Sequence, residues 1–392
     1  MKFLFATSLL PENEAASGYE IANRALLHGL RALGHEIVPI GFCNPWKSAL
    51  VADGSVNLGD LSVSNADADT PQKLIWLKRA VQNRTTFAGA KLQIIRPDIL
   101  AQIIAHQGEF DGVIINGAPM AAAFETVLTA KPFLFIAHNV EWQTAAENAK
   151  TATSFFERSL FAREARMLKA LERRMAARAS HVFTLAGDDA EAFRALGARS
   201  VSVVPLVVGL EAEAPVARAS KWDAGLIGTW SWAPNRVGLN WFLNEVTPHL
   251  PDDFKFAIAG KLQGNPAVKH PGASFLGLVP SALEFTRNCA CLPLVSRSGT
   301  GVQLKTLEAF ELGLPTVATA SSVRGIANVP ANCVVNDDPK KFAQALVAAA
   351  RKGNLADLDG RNFHGDQKTK MLAALSQGIS TFACQSFLEA AE

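Results

Sequence analysis

The chain has 392 residues, 49% hydrophobic and 19% charged, with 38 Lys and Arg against 36 Asp and Glu for a formal net charge of +2. The composition is globular and excludes a disordered bulk, and the length exceeds what one hydrophobic core usually supports, so two domains are expected. A near-neutral charge with no matching motif argues against nucleic-acid binding, and no apolar stretch is long enough to span a membrane.

From the N-terminus, Lys2 to Thr7 reads as a strand, its apolar part too short for a signal peptide. Tyr19 to Leu33 carries Ile21, Ala25, Leu26, Leu30 and Leu33 at helical spacing and stops at Gly34, and Glu36 to Ile40 is the next strand, a βαβ opening. Asp53 to Thr70, rich in Ser, Asn, Asp and Gly, reads as a loop or insertion. Strands follow at Gly112 to Asn116, Pro132 to Ala137, His181 to Leu185 and Ser200 to Val204. Apolar periodicity lapses over Pro205 to Lys221, the expected interdomain linker.

A second alternating run starts at Asp223 to Gly228 and continues through Phe254 to Ala259, Ala273 to Leu276, Ala290 to Leu294, Thr316 to Thr319 and Cys333 to Val335. Alternation of this kind specifies parallel α/β architecture. The expected division is 1–205, 206–368 and a terminal helix, 369–392, packing back toward the first domain and interrupted at Gly378. Its apolar residues (Met371, Leu372, Leu375, Ile379, Phe382, Phe387, Leu388) fall on several faces, as in a helix buried in a groove.

The cysteines Cys43, Cys289, Cys291, Cys333 and Cys384 are odd in number, scattered and mostly in apolar runs, which fits small buried hydrophobes in a reducing compartment. Cys289 and Cys291 have no second pair at zinc-site spacing, so no metal role is expected. Asp67-Ala-Asp69 has the letters of a metal-binding Asp-x-Asp but no preceding strand, and a solvated loop is the better reading.

The richest segment is Pro293 to Pro315, a strand end, a small-residue turn and a helix. Gly299 and Gly301 permit close backbone approach, and free N–H groups at the helix N-terminus form an anion site. Lys305 and Glu308, three apart, share a helix face, so the ammonium can neutralise a diphosphate while the carboxylate accepts hydrogen bonds from a ribose or sugar diol. The competing reading is a strand-loop-helix connection with a surface ion pair. Arg297 and Arg236 are further cations or solvated surface residues, and Asn235 either bonds a phosphate or caps a helix beginning near Val237. His138 lies at the carboxyl end of a strand, where parallel sheets place ligands. Two basic helical stretches, Gln72 to Arg84 and Lys150 to Arg178, run beside Trp76, Leu77, Phe155 and Phe156, as in a solvated face or a peripheral contact with anionic lipid.

Together these pieces resemble the family 4 glycosyltransferases of the retaining, two-Rossmann-domain (GT-B) type. The resemblance rests on Ser17-Gly18 with the helix ending at Gly34-His-Glu-Ile37, on Phe135-Ile-Ala-His138-Asn-Val-Glu141, on Glu172 to Asp189, on Gly225 to Leu243 with its Pro234-Asn235, and on the segment around Lys305. It implies an α/β fold of two Rossmann-like domains facing a cleft, with a nucleotide-diphosphate sugar as co-substrate and neither cofactor nor metal. A saccharide or lipid-linked saccharide of the cell envelope or an exopolysaccharide is the implied acceptor, and the cytoplasm, at the inner face of the plasma membrane, the implied place of work. By the same resemblance Gly18, Asn235, Arg297, Gly299, Thr300, Gly301, Lys305 and Glu308 bind the donor, and His138 and Lys305 act in catalysis. Thr300 stands where many members have a first glutamate, which leaves the identity of the sugar open. A sugar-nucleotide epimerase of the same architecture, or a catalytically silent nucleotide-binding scaffold, are the alternatives.

Overall fold

The structure, a computed structural model, describes residues 1–11, 18–45, 54–62, 68–216, 218, 220–262, 270–297, 301–351 and 355–391. The chain divides into two compact units, Met1–Leu206 with Thr369–Glu392, and Val207–Lys368.

The first unit runs β1 (Lys2–Leu9), α1 (Gly18–Ala32), β2 (Glu36–Cys43), β3 (Val56–Asp60), α2 (Thr70–Gln82), α3 (Phe87–Leu92), α4 (Pro97–His106), β4 (Gly112–Asn116), α5 (Ala118–Leu128), β5 (Phe133–Ala137), α6 (Glu141–Thr151), α7 (Phe155–Arg178), β6 (His181–Thr184), α8 (Gly187–Ala195) and β7 (Val201–Val203). The strands form one parallel sheet in the order β3-β2-β1-β4-β5-β6-β7. Helices on both faces bury the central strands, which is why β4 and β5 are buried throughout and, but for the terminal Asn116 of β4, apolar rather than alternating. The order reverses between β1 and β4, where Thr7 pairs with Asn116, and such a switch point opens a crevice at the carboxyl ends of the strands.

The second unit runs β8 (Trp222–Ile227), α9 (Ala233–Trp241), β9 (Phe256–Ala259), β10 (Ala273–Gly277), α10 (Ala282–Arg287), β11 (Cys289–Leu294), α11 (Leu304–Glu311), β12 (Thr316–Ala318), β13 (Cys333–Val335) and α12 (Pro339–Arg351), and leads into α13 (Gly360–Ala391). Its parallel sheet, β10-β9-β8-β11-β12-β13, switches between β8 and β11. Leu226, Phe242, Phe256, Val317 and Phe342 are among the residues that fill its main core.

Several expectations need correction. The polar segment 53–70 contains β3, an edge strand that pairs with β2 at Val56, Asn57 and Asp60 and whose two apolar residues, Val56 and Leu58, are too few to show a period. Asp69 is not simply solvated: its carboxylate accepts the Gln72 N–H at 2.8 Å and caps α2, while Asp67 lies outside the described residues. The basic stretch Lys150 to Arg178 is the end of α6 and all of α7, broken before Ser154, whose hydroxyl accepts the Glu157 N–H at 3.1 Å. Cys43, Cys289 and Cys291 are buried, but Cys333 is half-buried and Cys384 exposed.

The terminal helix begins at Gly360 and runs unbroken through Gly378. Gly378 is a point of contact: a Cβ there would lie 2.2 Å from the Phe183 ring. From Thr369 onward the helix belongs to the first unit, where Phe382 packs edge-on to Phe3 with ring centroids 5.2 Å apart.

Candidate active site

Gly18 and His138 belong to the first unit, and the other candidate residues to the second. At the β1/β4 switch point, polar side chains from four elements interlock. Asn116, at the end of β4, donates its amide to Asn23 Oδ1 on α1 (2.7 Å) and to Thr7 Oγ1 on β1 (3.1 Å). Its amide oxygen then faces His138 Nε2 at 2.8 Å, just past β5, so the imidazole donates from Nε2. Nδ1 has no hydrogen bond among the described residues and can accept one from a ligand. The Tyr19 ring leans on the imidazole at 4.8 Å, its hydroxyl 2.9 Å from Thr7 Oγ1 and 3.2 Å from the Asn116 carbonyl oxygen. Burial pushes the His138 pKa down to about 4, so the ring is neutral at physiological pH. Gly18, the exposed first residue of α1, precedes Tyr19; Ser17 lies outside the described residues.

Sequence reasoning named His138 and did not name its neighbours Thr7, Tyr19, Asn23 and Asn116. A polar residue at the end of an apolar strand, as Asn116 is, was the available signal. Acidic groups gather behind His138 as well. Glu172 on α7 accepts the Glu141 N–H at 2.8 Å with one carboxylate oxygen, with Trp142 N 3.4 Å from the other, which caps α6 from outside its own sequence. Burial pushes the Glu172 carboxyl up to about 8 and that of Glu141 up to about 7, with like charge from Glu164 and Asp189 adding to the latter.

In the second unit, Lys305 and Glu308 line one small cavity together with Gly225, Ile227, Trp230 and Leu294. The cavity sits between β8 and β11, at that sheet's switch point. Lys305 Nζ stands 5.8 Å from the centre of the Trp230 ring, and burial pulls its pKa down to about 8. Burial, then the nearby Glu213 carboxylate, pushes Glu308 upward. Neither group is a solvated surface partner; both are half-buried and aimed into the same space. Gln303, the residue before α11, makes no side-chain cap; its carbonyl takes the Thr306 N–H at 2.9 Å, while the Leu304 and Lys305 N–H groups have no hydrogen bond among the described residues and can meet a ligand.

The turn before α11 is held from outside. Ser296 N–H donates to Ser322 Oγ at 2.8 Å, Thr306 Oγ1 to the Ser322 carbonyl at 2.9 Å, and Arg324 to the Gly301 carbonyl at 3.1 Å. Gly301 has φ +75°, a left-handed conformation that glycine adopts without strain. Gly299 and Thr300 lie outside the described residues. Arg297 pairs with Asp337 at 3.0 Å and lies 4.8 Å from the Trp241 ring centre, so it already has protein partners.

Asn235 is not a cap. Helix α9 starts two residues earlier than it, after Trp232, and the Asn235 amide donates to the Thr229 carbonyl at 3.1 Å, which ties the turn after β8. Pro234 in the first turn needs no N–H partner and sets that earlier start. Arg236 donates to the Ser231 carbonyl at 3.2 Å. Glu311, one turn past Glu308, holds backbone in place, its two oxygens accepting the Val208 and Gly209 N–H groups at 2.7 and 2.8 Å.

Residues 17–209 match the family model described as "Glycosyl transferase 4-like domain", and residues 223–352 the one described as "Glycosyl transferases group 1". No curated protein matches the chain. Among solved structures the chain is similar to sucrose-phosphate synthase from Thermosynechococcus elongatus, at 13% identity and TM-score 0.62 with both chains fully covered. It is similar to Anabaena HepE in complex with UDP-glucose, at 13% identity, TM-score 0.62 and coverage of 98% of this chain and 100% of that one. A third is WaaG, "a glycosyltransferase involved in lipopolysaccharide biosynthesis", at 13% identity, TM-score 0.60 and coverage of 96% and 98%. At such identities the likeness shows the fold. The two family models, one on each unit, add the activity.

Two parallel α/β units of this kind define the GT-B class of glycosyltransferases, and the chain is an enzyme of that class. Within it, the chain belongs with the family 4-like members.

Proposed function

We propose that the enzyme transfers a sugar, with retention at the anomeric carbon, from a nucleoside-diphosphate donor to a saccharide or lipid-linked saccharide acceptor of the cell envelope or an exopolysaccharide. The observation that carries this reading is the shared cavity of Lys305 and Glu308 at the β8/β11 switch point. The donor's diphosphate sits against Lys305 and the open N-terminus of α11 behind Gly301, and Glu308 accepts hydrogen bonds from the ribose. Arg297 and Asn235 shape this site through the contacts given above.

In the transfer, the bond from the anomeric carbon to the departing diphosphate oxygen breaks and the acceptor oxygen bonds the same face. The acceptor proton passes to that phosphate oxygen, so no protein nucleophile is required. The positive charge of Lys305 and the α11 N–H groups are aimed where the leaving group gathers negative charge, and this makes a divalent metal unnecessary. His138, neutral and held by Asn116, offers Nδ1 to a hydroxyl of a bound sugar. No helix of the described residues is long and apolar enough to cross a membrane. Work in the cytoplasm, with the exposed Leu74, Ile75, Phe155 and Phe156 among the basic residues of α2 and α7 meeting an anionic membrane face, completes the reading.

The test is thermal stabilisation of the purified protein by UDP, GDP, ADP and dTDP, each with and without EDTA. HepE has been solved with UDP-glucose, which makes UDP the first choice. A nucleotide-selective shift insensitive to EDTA is expected. A shift that EDTA abolishes and a divalent ion restores would refute the metal-free site, and no shift with any nucleotide would remove the donor assignment.

A further inference from the structure

A second cavity, of about 660 Å³, lies among the helices of the first unit. That volume is within the range of small-molecule sites, roughly 300–1,000 Å³. Its walls come from α2, α3, α5, α6 and α7 and are mainly apolar, with Leu77, Phe87, Ala88, Ala145, Leu160 and Leu168 among them. We infer that this cavity holds the hydrocarbon chain of an amphiphilic acceptor, whose hydroxylated head lies at the Glu141 end and whose chain leaves between Leu74 and Phe156.

The orientation follows from the two ends. At the inner end, Ala118 and Pro119 follow Asn116, and Glu141 follows His138, so the cavity begins beside the carboxyl ends of β4 and β5. The Glu141 side chain has no hydrogen bond among the described residues and faces the cavity, where a hydroxyl can donate to it. Glu164, the other buried carboxylate of the wall, is already taken: both oxygens accept the Phe87 N–H, at 2.8 and 2.9 Å. Lys91 is likewise occupied, stacked over the Trp76 and Phe87 rings at 4.8 and 5.3 Å.

At the outer end, Leu74 and Phe156 line the cavity and are 59% and 66% exposed, so its apolar surface continues onto the outside of the protein. Phe155, 83% exposed, extends the patch, and among the exposed charges beside it Lys73 and Arg158 outweigh Glu157. A soluble sugar chain has no use for an apolar rim inside a basic margin. A lipid whose tail passes from the cavity into an anionic bilayer matches both.

The inference deepens the acceptor half of the proposed function and rests on it for calling the ligand an acceptor; chain binding is measured without donor. Calorimetric titration of the full chain with butyl, hexyl, octyl and decyl glucoside, below their micelle concentrations, reads the cavity directly. Affinity is expected to rise about three- to fourfold per buried methylene until the cavity is full. Ala88→Trp, which adds bulk to the cavity wall, should shorten the chain length at which affinity stops rising, while nucleotide-induced stabilisation in the second unit persists and far-UV circular dichroism reports folding of the first. Phe156→Ser, at an exposed rim position, should weaken decyl glucoside severalfold and leave butyl glucoside unchanged. Affinity independent of chain length in the wild type, or the same dependence in both variants, overturns the inference. Failure of the nucleotide shift alone overturns the donor reading instead and leaves the chain-length result standing.

Discussion

His138 Nε2 and Asn116 Oδ1 stand 2.8 Å apart, and the opposite face of the same amide is bonded to Asn23 Oδ1 at 2.7 Å. The pair therefore fixes the histidine's tautomer as well as its position. The imidazole's pKa, about 4, is below its ordinary 6.5, so the unfolded chain binds the proton first and stability falls as pH drops from 6.5 through 4. Asn116→Asp places a carboxylate against the ring and should move the His138 titration up by a unit or more. NMR titration of the imidazole reads this, and transferase activity should lose its low-pH limb at a correspondingly higher pH. An unmoved titration would show that Asn116 does not govern the ring.

Lys305, with a pKa of about 8, should bind a diphosphate as the ammonium only. Nucleotide affinity is then expected to be level below pH 8 and to fall by up to about tenfold per pH unit above it, with proton uptake on binding. Lys305→Ala should bind weakly and without that break. Glu308→Ala should cost about 10- to 100-fold in donor affinity, the scale of hydrogen bonds to a charged group, and Glu308→Gln less. Wild-type affinity in both alanine variants would defeat the site.

Glu172 behaves oppositely to His138. Its pKa is raised from 4.5 to about 8, so the folded protein binds the extra proton and stability contributed by this group is lost as pH rises through that window, by at most about 1.4 kcal/mol per unit. Glu172→Gln keeps an oxygen for the Glu141 N–H and removes the buried charge. Its urea midpoint should therefore gain on the wild type between pH 5 and 8, whereas Glu172→Ala should lose at every pH because the α6 N–H groups are left unpaired. Parallel pH dependence in wild type and Glu172→Gln would place the titration elsewhere.

Gly378 and Gly365 lie on the same helix and make a matched pair. A Cβ at Gly365 meets nothing within 4 Å, whereas one at Gly378 would lie 2.2 Å from Phe183 and 2.8 Å from His181. Helix propensity alone favours alanine at either position by about 1 kcal/mol. Gly365→Ala should thus stabilise modestly, while Gly378→Ala should destabilise by about 1–3 kcal/mol because overpacking outweighs propensity. Equal shifts in chemical denaturation would mean that the terminal helix is not seated on β6.

Local pattern made most of the architecture legible. Apolar runs bounded by amphipathic stretches located twelve of the thirteen strands among the described residues, since a strand buried on both faces must be apolar wherever it sits. The exception, β3, has too few apolar residues to show a period and exists through its pairing with β2. Of the two readings open for Asn235, a phosphate ligand or a helix cap, the cap falls because Pro234 had already set the start of the helix.

The sequence by itself determined most of the elements, the family and the shared helix face of Lys305 and Glu308, because three residues along a helix is a local distance. Tertiary structure alone decided that Asn116 holds His138, that Glu172 caps α6, that Gly378 gives way to Phe183, and that five helical segments enclose a cavity. Each joins residues tens of positions apart, and their spacing is set by how the helices pack on the sheet, which no local periodicity encodes.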